Sequence, residues 1–490
     1  MNESSLRFYS AAQVRDLDAV AIGEHGIAGA TLMRRAAGFA WRVLQQHWPR
    51  ARHLLVLAGP GNNGGDGYDL AGIARRHGCT VAVCVVGPPV SRGDGAAAAE
   101  RFWRESGQQP AQLAKALSAA DLVVDAMLGT GTSRPAAGEF ADAIEAVNAS
   151  GKPVLALDVP SGLDADSGEP LGPCIRAQAT ACFVGRKFGL YTGYGPDWAG
   201  TVHFSDLGLP AAVHESAAAL AEAIEPPCLF RELPSRRRAA HKGSHCQVLV
   251  IGGNHGMAGA ALLSARAALR AGAGLVSVAT RAEHVSALVA AQAELMPTAV
   301  STVDELQPLL ARADTVLIGP GLGRDDWARS LWAAALAAGK PMVVDADALF
   351  LLAESPRELA DAVLTPHPGE AARLLDWDST RVQARRAEAA RGLNSSFGAV
   401  AVLKGAGTLV ADRERLALCP RGNPGMAVGG MGDVLAGVIA ALRAQGLDAE
   451  TAARLGVLAH AMAGDRAAGA SPRGLLPSDL LAPIRGLLNP

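Results

Sequence analysis

A glycine-rich run in the C-terminal half ends in an aspartate: Gly422-Asn-Pro-Gly-Met-Ala-Val-Gly-Gly-Met-Gly-Asp-Val-Leu435. The apolar pattern that follows predicts a helix that stops at Gly446. A glycine loop that opens a helix directs free N–H groups and the positive end of the helix dipole at one point, which suits a phosphate or a developing anion. Asp433 has two roles open to it. It caps the helix, which is the commoner role, or it is a general base for a hydroxyl that attacks a phosphoryl group.

Other polar residues of this half lie in predicted loops at strand ends. His367 stands between two prolines, which hold the preceding backbone extended, and we expect it to touch a ligand; a structural histidine is the alternative. Lys404 precedes Gly-Ala-Gly-Thr at a strand end, where an ammonium group suits a phosphate clamp. The loops that carry candidate chemistry are 252–260, 319–323, 345–347, 365–370 and 404–408.

The N-terminal half has its own glycine loop, Gly59-Pro-Gly-Asn-Asn-Gly-Gly-Asp-Gly67. It is not the usual dinucleotide-binding Gly-x-Gly-x-x-Gly, because two asparagines interrupt it. Asp125 and Asp158 each end a further predicted strand, and each taken alone is equally well a loop cap. Together, amides and carboxylates at successive strand ends suit a hard monovalent cation and the hydroxyls of a sugar or phosphate.

Parallel sheets must position these loops. Strand, loop and helix alternate in both halves, which predicts βαβ units whose ligands bind at the carboxyl ends of the strands. We therefore predict an α/β fold with two doubly wound domains that meet near residue 225, where prolines and the run Arg236–Arg238 indicate a linker. The predicted strands are 53–58, 80–86, 122–125, 154–158, 247–251, 275–279, 315–318, 341–344, 362–364 and 399–403.

The run 422–435 closely resembles the signature of the ADP-dependent NAD(P)H-hydrate dehydratases, a ribokinase-like family, and the opening Lys242–Gly253 is similar to theirs. The resemblance implies that Asp433 is the catalytic base and favours that role over the cap. By the same resemblance, Ala260, Gly321, His367 and Asp433 face the hydrated nicotinamide. The adenine nucleotide is implied to bind Lys404, Gly405, Ala406, Gly407, Thr408 and Gly432. Phe350 departs from the family, which has asparagine there.

The N-terminal loops resemble the NAD(P)H-hydrate epimerase domain, which is often fused to the dehydratase. The resemblance implies a potassium ion on Asn63, Asp125 and Ser161, and Asp158 as the acid/base at the reacting carbon. Lys187 also matches a family lysine, although a surface or structural role is favoured for it. The residues implied to contact the hydrated nucleotide are Asn62, Asn63, Gly64, Gly65, Asp66, Gly129, Thr130, Gly131, Thr132, Ser133, Arg134, Pro135 and Asp158.

Both resemblances imply an N-terminal Rossmann-like three-layer sandwich, residues 1–224, and a C-terminal ribokinase-like α/β domain, residues 225–490. The implied function is repair of hydrated NADH and NADPH. The first domain interconverts the R and S epimers, and the second dehydrates the S form while ADP is split into AMP and phosphate. The implied cofactors are ADP, with ATP left open as the donor, Mg²⁺ and K⁺.

Two alternatives stay open. One is a small-molecule kinase of vitamin precursors on the same ribokinase-like scaffold, which would use ATP and ignore hydrated NADPH. In the other, the first domain is a non-catalytic nucleotide sensor, and loss of Asp158 would leave epimerisation unchanged.

The composition argues against some classes of binding partner. A net charge of −2 over 490 residues argues against nucleic-acid or membrane-surface binding through bulk charge. Seven cysteines without Cys-x-x-Cys spacing and a start without an apolar core predict a cytoplasmic protein. We expect small-molecule substrates and a homo-oligomer.

Overall fold

The computed structural model describes residues 7–90, 92–233 and 246–489. The chain divides into two compact units, Met1–Glu222 and Ala223–Pro490, so the predicted domain boundary at residues 224 and 225 lies close to this division. The arginine run 236–238 of the predicted linker and the first four residues of the dehydratase-like opening, 242–245, lie outside the described residues.

The first unit contains a six-stranded sheet in which all neighbouring strands are parallel, in the order β3-β2-β4-β5-β6-β8. A short strand, β1, pairs in parallel with β7 and antiparallel with β9. The strands are β1 (Arg7–Tyr9), β2 (His53–Ala58), β3 (Thr80–Val85), β4 (Leu122–Ala126), β5 (Val154–Leu157), β6 (Ala179–Phe183), β7 (Arg186–Lys187), β8 (Thr201–Ser205) and β9 (Ala221–Ala223).

Helices cover both faces of this sheet. Leu54 and Val56 of β2 belong to one buried cluster, and Leu55 and Leu57 between them belong to another, as expected where successive side chains of a strand point to opposite faces. The three-layer sandwich is thereby confirmed. The helices are α1 (Ala11–Gly23), α2 (Gly29–His47), α3 (Asn62–Arg76), α4 (Gly93–Ser106), α5 (Leu113–Ala119), α6 (Glu139–Ser150), α7 (Gly195–Ala199) and α8 (Ala211–Glu215), with a 3₁₀ turn at Phe188–Tyr191.

The glycine loop after β2 is shorter than predicted. Helix α3 begins at Asn62, so the segment 62–67 forms its first turns and is not a loop. Its glycines serve close packing: a Cβ at Gly64 would lie 2.1 Å from the Gly59 carbonyl oxygen, and one at Gly65 would lie 2.6 Å from Met33. The run is glycine-rich because the helix lies against its own entry and against α2.

The second unit contains a nine-stranded sheet in the order β12-β11-β10-β13-β14-β15-β16-β17-β18. It is parallel as far as β16, and β17 and β18 are antiparallel additions that the sequence did not indicate. The strands are β10 (Gln247–Ile251), β11 (Leu275–Thr280), β12 (Met296–Ala299), β13 (Thr315–Ile318), β14 (Met342–Val344), β15 (Ala362–Leu364), β16 (Val400–Leu403), β17 (Thr408–Ala411) and β18 (Leu416–Cys419).

Most residues of the helix that follows the second glycine run, Met431–Ala444, are buried. A Cβ at Gly437 would lie 2.1 Å from the Ser264 carbonyl oxygen, so this helix packs backbone to backbone against the helix Ala258–Arg270. The helices are α9 (Pro227–Glu232), α10 (Ala258–Arg270), α11 (Val285–Ala291), α12 (Val303–Arg312), α13 (Asp326–Ala337), α14 (Ala346–Glu354), α15 (Pro368–Leu375), α16 (Ser379–Ala384), α17 (Arg386–Phe397), α18 (Met431–Ala444), α19 (Ala449–Ala468) and α20 (Leu481–Leu487). Short 3₁₀ helices lie at Ala282–His284, Pro424–Met426 and Pro477–Leu480. None of the helices in the described ranges has the length and apolar character that crossing a bilayer requires.

Candidate active sites

In the second unit, adjacent parallel strands bring charged side chains together at their carboxyl ends. Asp345 follows β14, Glu370 lies in α15 after β15, and Lys404 follows β16. The Lys404 ammonium lies 3.0 Å from Asp345 Oδ1 and 3.7 Å from Glu370 Oε2. The Thr365 hydroxyl donates to the same Asp345 oxygen at 2.8 Å, so Asp345 is held from two sides.

The charge of Lys404 is stabilised by its neighbours. Burial alone would lower the pKa of this lysine, but the carboxylates of Asp345 and Glu370 outweigh burial and raise it. Lys404, whose side chain is 18% exposed, therefore carries a stabilised positive charge, as a phosphate clamp requires. Asp345 and Glu370 were not among the predicted site residues; their loops were, but nothing in the sequence showed which side chains turn toward Lys404.

Asp433 lies beside this cluster, one turn into α18. The helix cap is Gly430, with φ of 95°, and no side chain caps the helix. The cap role that the sequence left open for Asp433 is therefore wrong. Burial, followed by the charges of Asp345 and Glu370, raises the pKa of Asp433 to about 7, although Lys404 opposes the shift. A carboxylate with this pKa exchanges a proton readily at neutral pH, as a general base must.

His367 caps α15. Its Nδ1 accepts hydrogen bonds from the Gly369 and Glu370 amides at 3.0 and 3.3 Å, and Glu370 Oε2 accepts from the His367 amide at 2.7 Å. His367 therefore has a structural role, as the cap of α15. The imidazole is still 57% exposed, and the expected ligand contact stays a prediction.

The remaining predicted residues of this unit lie at the starts of α10 and α18 and in the segments that follow β13 and β16. Ala260 and Gly321 are neighbours, because a Cβ at Gly321 would lie 3.3 Å from that of Ala260. A Cβ at Gly432 would lie 3.1 Å from the Lys404 ammonium, which places this glycine against the charged cluster. The loop 404–408 joins β16 to β17, and the Thr408 hydroxyl donates to the Gly405 carbonyl at 2.9 Å.

A buried arginine that the sequence analysis missed organises that loop. Arg386 is 2% exposed, and its Nη2 donates to the carbonyls of Leu403, Lys404 and Gly407 at 3.4, 3.2 and 3.4 Å. Burial lowers the pKa of Arg386 to about 10. Arginines stand at 381, 385, 386 and 391, and nothing in the sequence showed which of them turns inward.

In the first unit, Asp158 follows β5 and forms an ion pair with Lys187. Asp158 adopts the left-handed conformation, with φ of 64°, a conformation that aspartate tolerates better than most residues and that marks a constrained position. The Lys187 ammonium also donates to the Phe183 carbonyl at 2.7 Å. The surface role favoured for Lys187 is wrong, because its side chain is 1% exposed.

The Asp158–Lys187 pair lies at a cavity of about 820 Å³, a volume in the range of ligand sites. Most residues predicted to contact the hydrated nucleotide line it, and Asp18, which was not predicted, lines it too. The lining includes Asn62, Asn63, Asp66, Gly129, Thr130, Gly131, Thr132, Ser133, Arg134, Pro135, Asp158 and Lys187. Gly64 and Gly65 are not part of this lining, since they pack under the start of α3 as described above.

The three residues predicted to hold potassium lie close together beside the cavity. Ser161 is hydrogen-bonded to the buried carboxylate of Asp125, and both Ser161 and Asn63 are hydrogen-bonded to the backbone of Leu128. Asp125 accepts from the Ser161 hydroxyl at 2.6 Å and from the Ser161 amide at 2.8 Å. Asn63 Nδ2 donates to the Leu128 carbonyl, and its Oδ1 is buried without a hydrogen-bond partner in the described structure. Burial raises the pKa of Asp125 to about 6. A buried carboxylate beside an unsatisfied amide oxygen fits a bound cation.

Comparison with known proteins identifies the family. Residues 29–189 match the model of the YjeF-related protein N-terminus, and residues 248–485 match that of NAD(P)H-hydrate dehydratase. A bifunctional NAD(P)H-hydrate repair enzyme of Coxiella burnetii is 44% identical over 98% of this chain and 99% of its own. The chain belongs to the bifunctional NAD(P)H-hydrate repair enzymes.

Other relatives agree with this assignment. The bifunctional NAD(P)H-hydrate repair enzyme of Escherichia coli is 42% identical over 94% of this chain and 89% of its own. A ribokinase-like superfamily protein from Enterococcus faecalis superposes on 56% of this chain and 99% of its own, with 28% identity and a TM-score of 0.51, which confirms the ribokinase-like fold. This repair enzyme thus combines an NAD(P)H-hydrate epimerase with an NAD(P)H-hydrate dehydratase, and the vitamin-precursor kinase and the non-catalytic sensor are set aside.

Proposed function

We propose that Asp433 is the general base of the dehydratase and that residues 225–490 form its domain. Asp433 takes the proton of the hydroxyl on carbon 6 of the S epimer, and that oxygen attacks the terminal phosphorus of ADP. The bond from this phosphorus to the bridging oxygen breaks and AMP leaves. The lone pair of the ring nitrogen then expels phosphate from carbon 6, and loss of a proton from carbon 5 restores the double bond of NADH or NADPH.

The raised pKa of Asp433, together with its place one turn inside an uncapped helix, carries this proposal. The uncapped N-terminus of α18 and the Lys404 ammonium are suited to the negative charge that develops on the phosphoryl oxygens. We assign the nucleotide to Lys404–Thr408 and Gly432, and the hydrated nicotinamide to Ala260, Gly321, His367 and Asp433.

Mg²⁺ enters the proposal with the nucleotide. The described residues contain no group of three or more His, Cys, Asp or Glu that could hold a metal ion, and Mg²⁺ is proposed to bind through the diphosphate. When bound, it supplies neutralisation of phosphate charge. ADP is the proposed donor, and ATP is the alternative that a direct comparison of the two nucleotides decides.

We propose that residues 1–224 form the epimerase domain, with the substrate in the 820 Å³ cavity and Asp158 as an acid/base beside carbon 6. Lys187 holds Asp158 in place through their ion pair. Asn63, Asp125 and Ser161 would hold K⁺, which supplies a positive charge behind the loop after β4. The unsatisfied Asn63 oxygen supports this site.

One experiment tests both halves. The protein is mixed with both epimers of hydrated NADPH, ADP and Mg²⁺, and recovery of the near-ultraviolet NADPH band is followed. Asp433→Asn abolishes recovery, whereas Asp326→Asn, at an exposed aspartate in the first turn of α13, leaves it unchanged. Asp158→Asn gives a fast first phase from the S epimer and a second phase limited by spontaneous epimerisation.

Full recovery by Asp433→Asn would rule out the base. A single fast phase with Asp158→Asn would rule out the epimerase assignment of that residue. A cytoplasmic location and a homo-oligomer stay predictions, which cell fractionation and analytical ultracentrifugation test.

A further inference from the structure

Helix α1 forms one wall of the cavity in the first unit. Its Val14 and Leu17 are buried in the core, and Val14, Asp18 and Ile22 line the cavity. The Asp18 carboxylate makes no hydrogen bond to any described residue of the protein. A carboxylate that faces a cavity and has no protein partner is available to a ligand.

Charged groups from three other elements act on Asp18. Lys187 of β7 and Asp158 after β5 are the charges that influence it most, and Asp66 of α3 lines the same cavity. Arg15 of its own helix also lines the cavity, and its Nη1 donates to the Thr130 carbonyl at 3.3 Å. Burial, opposed by Lys187 and reinforced by Asp158, raises the pKa of Asp18 to about 6. This carboxyl therefore exchanges its proton near neutral pH.

Epimerisation at carbon 6 needs two proton transfers. The hydroxyl must receive a proton to leave as water, and the water that returns on the opposite face must lose one. Asp158 forms an ion pair with the Lys187 ammonium at the cavity, so its carboxylate is held where it can accept a proton from the incoming water. The proton donor is a second group.

We propose that Asp18 is that second group, a catalytic residue of the epimerase that works with Asp158; the proposal rests on the epimerase function given above. The Asp18 carboxyl gives its proton to the carbon 6 hydroxyl. The carbon–oxygen electron pair leaves with water, and the ring nitrogen lone pair forms a double bond to carbon 6.

Water then attacks carbon 6 from the other face, and the electron pair of the carbon–nitrogen double bond returns to nitrogen. One proton of the incoming water passes to the Asp158 carboxylate. The net change is one proton moved from Asp18 to Asp158, which solvent restores. The opposite epimer uses the same pair with the roles exchanged.

The test measures interconversion of the purified R and S epimers of hydrated NADH by chromatography, with the full chain and without ADP, so that no dehydration occurs. Asp18→Asn lowers the rate by roughly 10²-fold or more at pH 7, the usual size of a general-acid contribution. Asp16→Asn is the matched control, an exposed aspartate on the same helix, and its rate stays within about twofold of wild type.

The pH profile separates catalysis from a structural role. The wild-type rate falls as the pH rises above about 6, because Asp18 loses the proton that it must donate. This alkaline limb is absent from the residual rate of Asp18→Asn and is kept by Asp18→Glu. Thermal unfolding of Asp18→Asn and its ADP-dependent dehydration of the S epimer stay as in wild type, which excludes misfolding.

Three results would overturn the inference: an unchanged rate in Asp18→Asn, an alkaline limb that survives in that variant, or a limb that disappears with Asp66→Asn instead. In each case the proposed function still stands if Asp158→Asn interconverts the epimers only at the spontaneous rate. A wild-type protein with no interconversion above that rate would instead remove the proposed function itself.

Discussion

Each of the two candidate sites contains one lysine that is ion-paired with a carboxylate, and the sites differ in the role proposed for that carboxylate. In the first unit, Lys187 is bonded to Asp158, the proposed acid/base itself. In the second unit, Lys404 is bonded to Asp345, and Asp433 stands beside the pair. In each site burial raises the pKa of a further carboxyl beside the pair, that of Asp18 to about 6 in the first site and that of Asp433 to about 7 in the second.

We expect the largest effects on stability and activity when either lysine is removed. Lys187→Met and Lys404→Met each leave a buried carboxylate without its partner, which lowers the free energy of unfolding by about 3–5 kcal/mol. Lys187→Met abolishes epimerisation and spares dehydration, and Lys404→Met does the reverse. Denaturant unfolding and the two separate assays are the measurements. Lys187→Met with Asp158→Asn should regain part of the lost stability; if it does not, the pair is not what stabilises the unit.

The pH dependence of the wild-type enzyme sharpens the difference between the sites. With Asp433 as the proposed base, we expect kcat/KM for dehydration of the S epimer to fall as the pH drops through about 7, by about tenfold per pH unit below it. Epimerisation by Asp18 falls in the opposite direction, above about pH 6. Initial rates on purified epimers between pH 5 and pH 9 test this. If both rates changed in the same direction with pH, the proposed difference between the two sites would be wrong.

A smaller expected difference between the two sites is their response to potassium. At a concentration 100 times its dissociation constant, a bound ion stabilises the native state by about 2.7 kcal/mol. We expect K⁺, compared with choline at equal ionic strength, to raise the melting temperature and the epimerisation rate without changing dehydration. Asp125→Asn should abolish the response, and a response that persists there would place the ion elsewhere.

The smallest effect concerns Glu370. Its negative charge contributes to the raised pKa of Asp433, so Glu370→Gln should move the acidic limb of the dehydration profile to lower pH by less than about one unit. Glu388→Gln, at an exposed glutamate of α17, is the control and should move nothing. A limb that moves upward would show that Glu370 acts on Asp433 mainly through Lys404.

Much of the fold was readable because it is encoded locally. The strands that precede Gly59, Asp125, Asp158 and Lys404 are apolar runs that end in glycine or charged residues, and the structure has strands at each place. The segment 62–67 was misjudged, since its glycines allow a helix to lie against a neighbouring backbone and do not break it. The antiparallel strands β17 and β18 are short, and no alternation long enough to indicate them precedes the second glycine run.

By itself, the sequence determined the two α/β units, the loops at their strand ends and the residues of those loops, because glycine spacing and apolar periodicity act over a few residues. Only the tertiary structure decided which charges meet. Asp18 and Asp158 are 140 residues apart in the chain, and Lys404 meets Asp345 only when β14, β15 and β16 align. Electrostatic environment depends on these distances and on burial, and neither exists before the chain is packed.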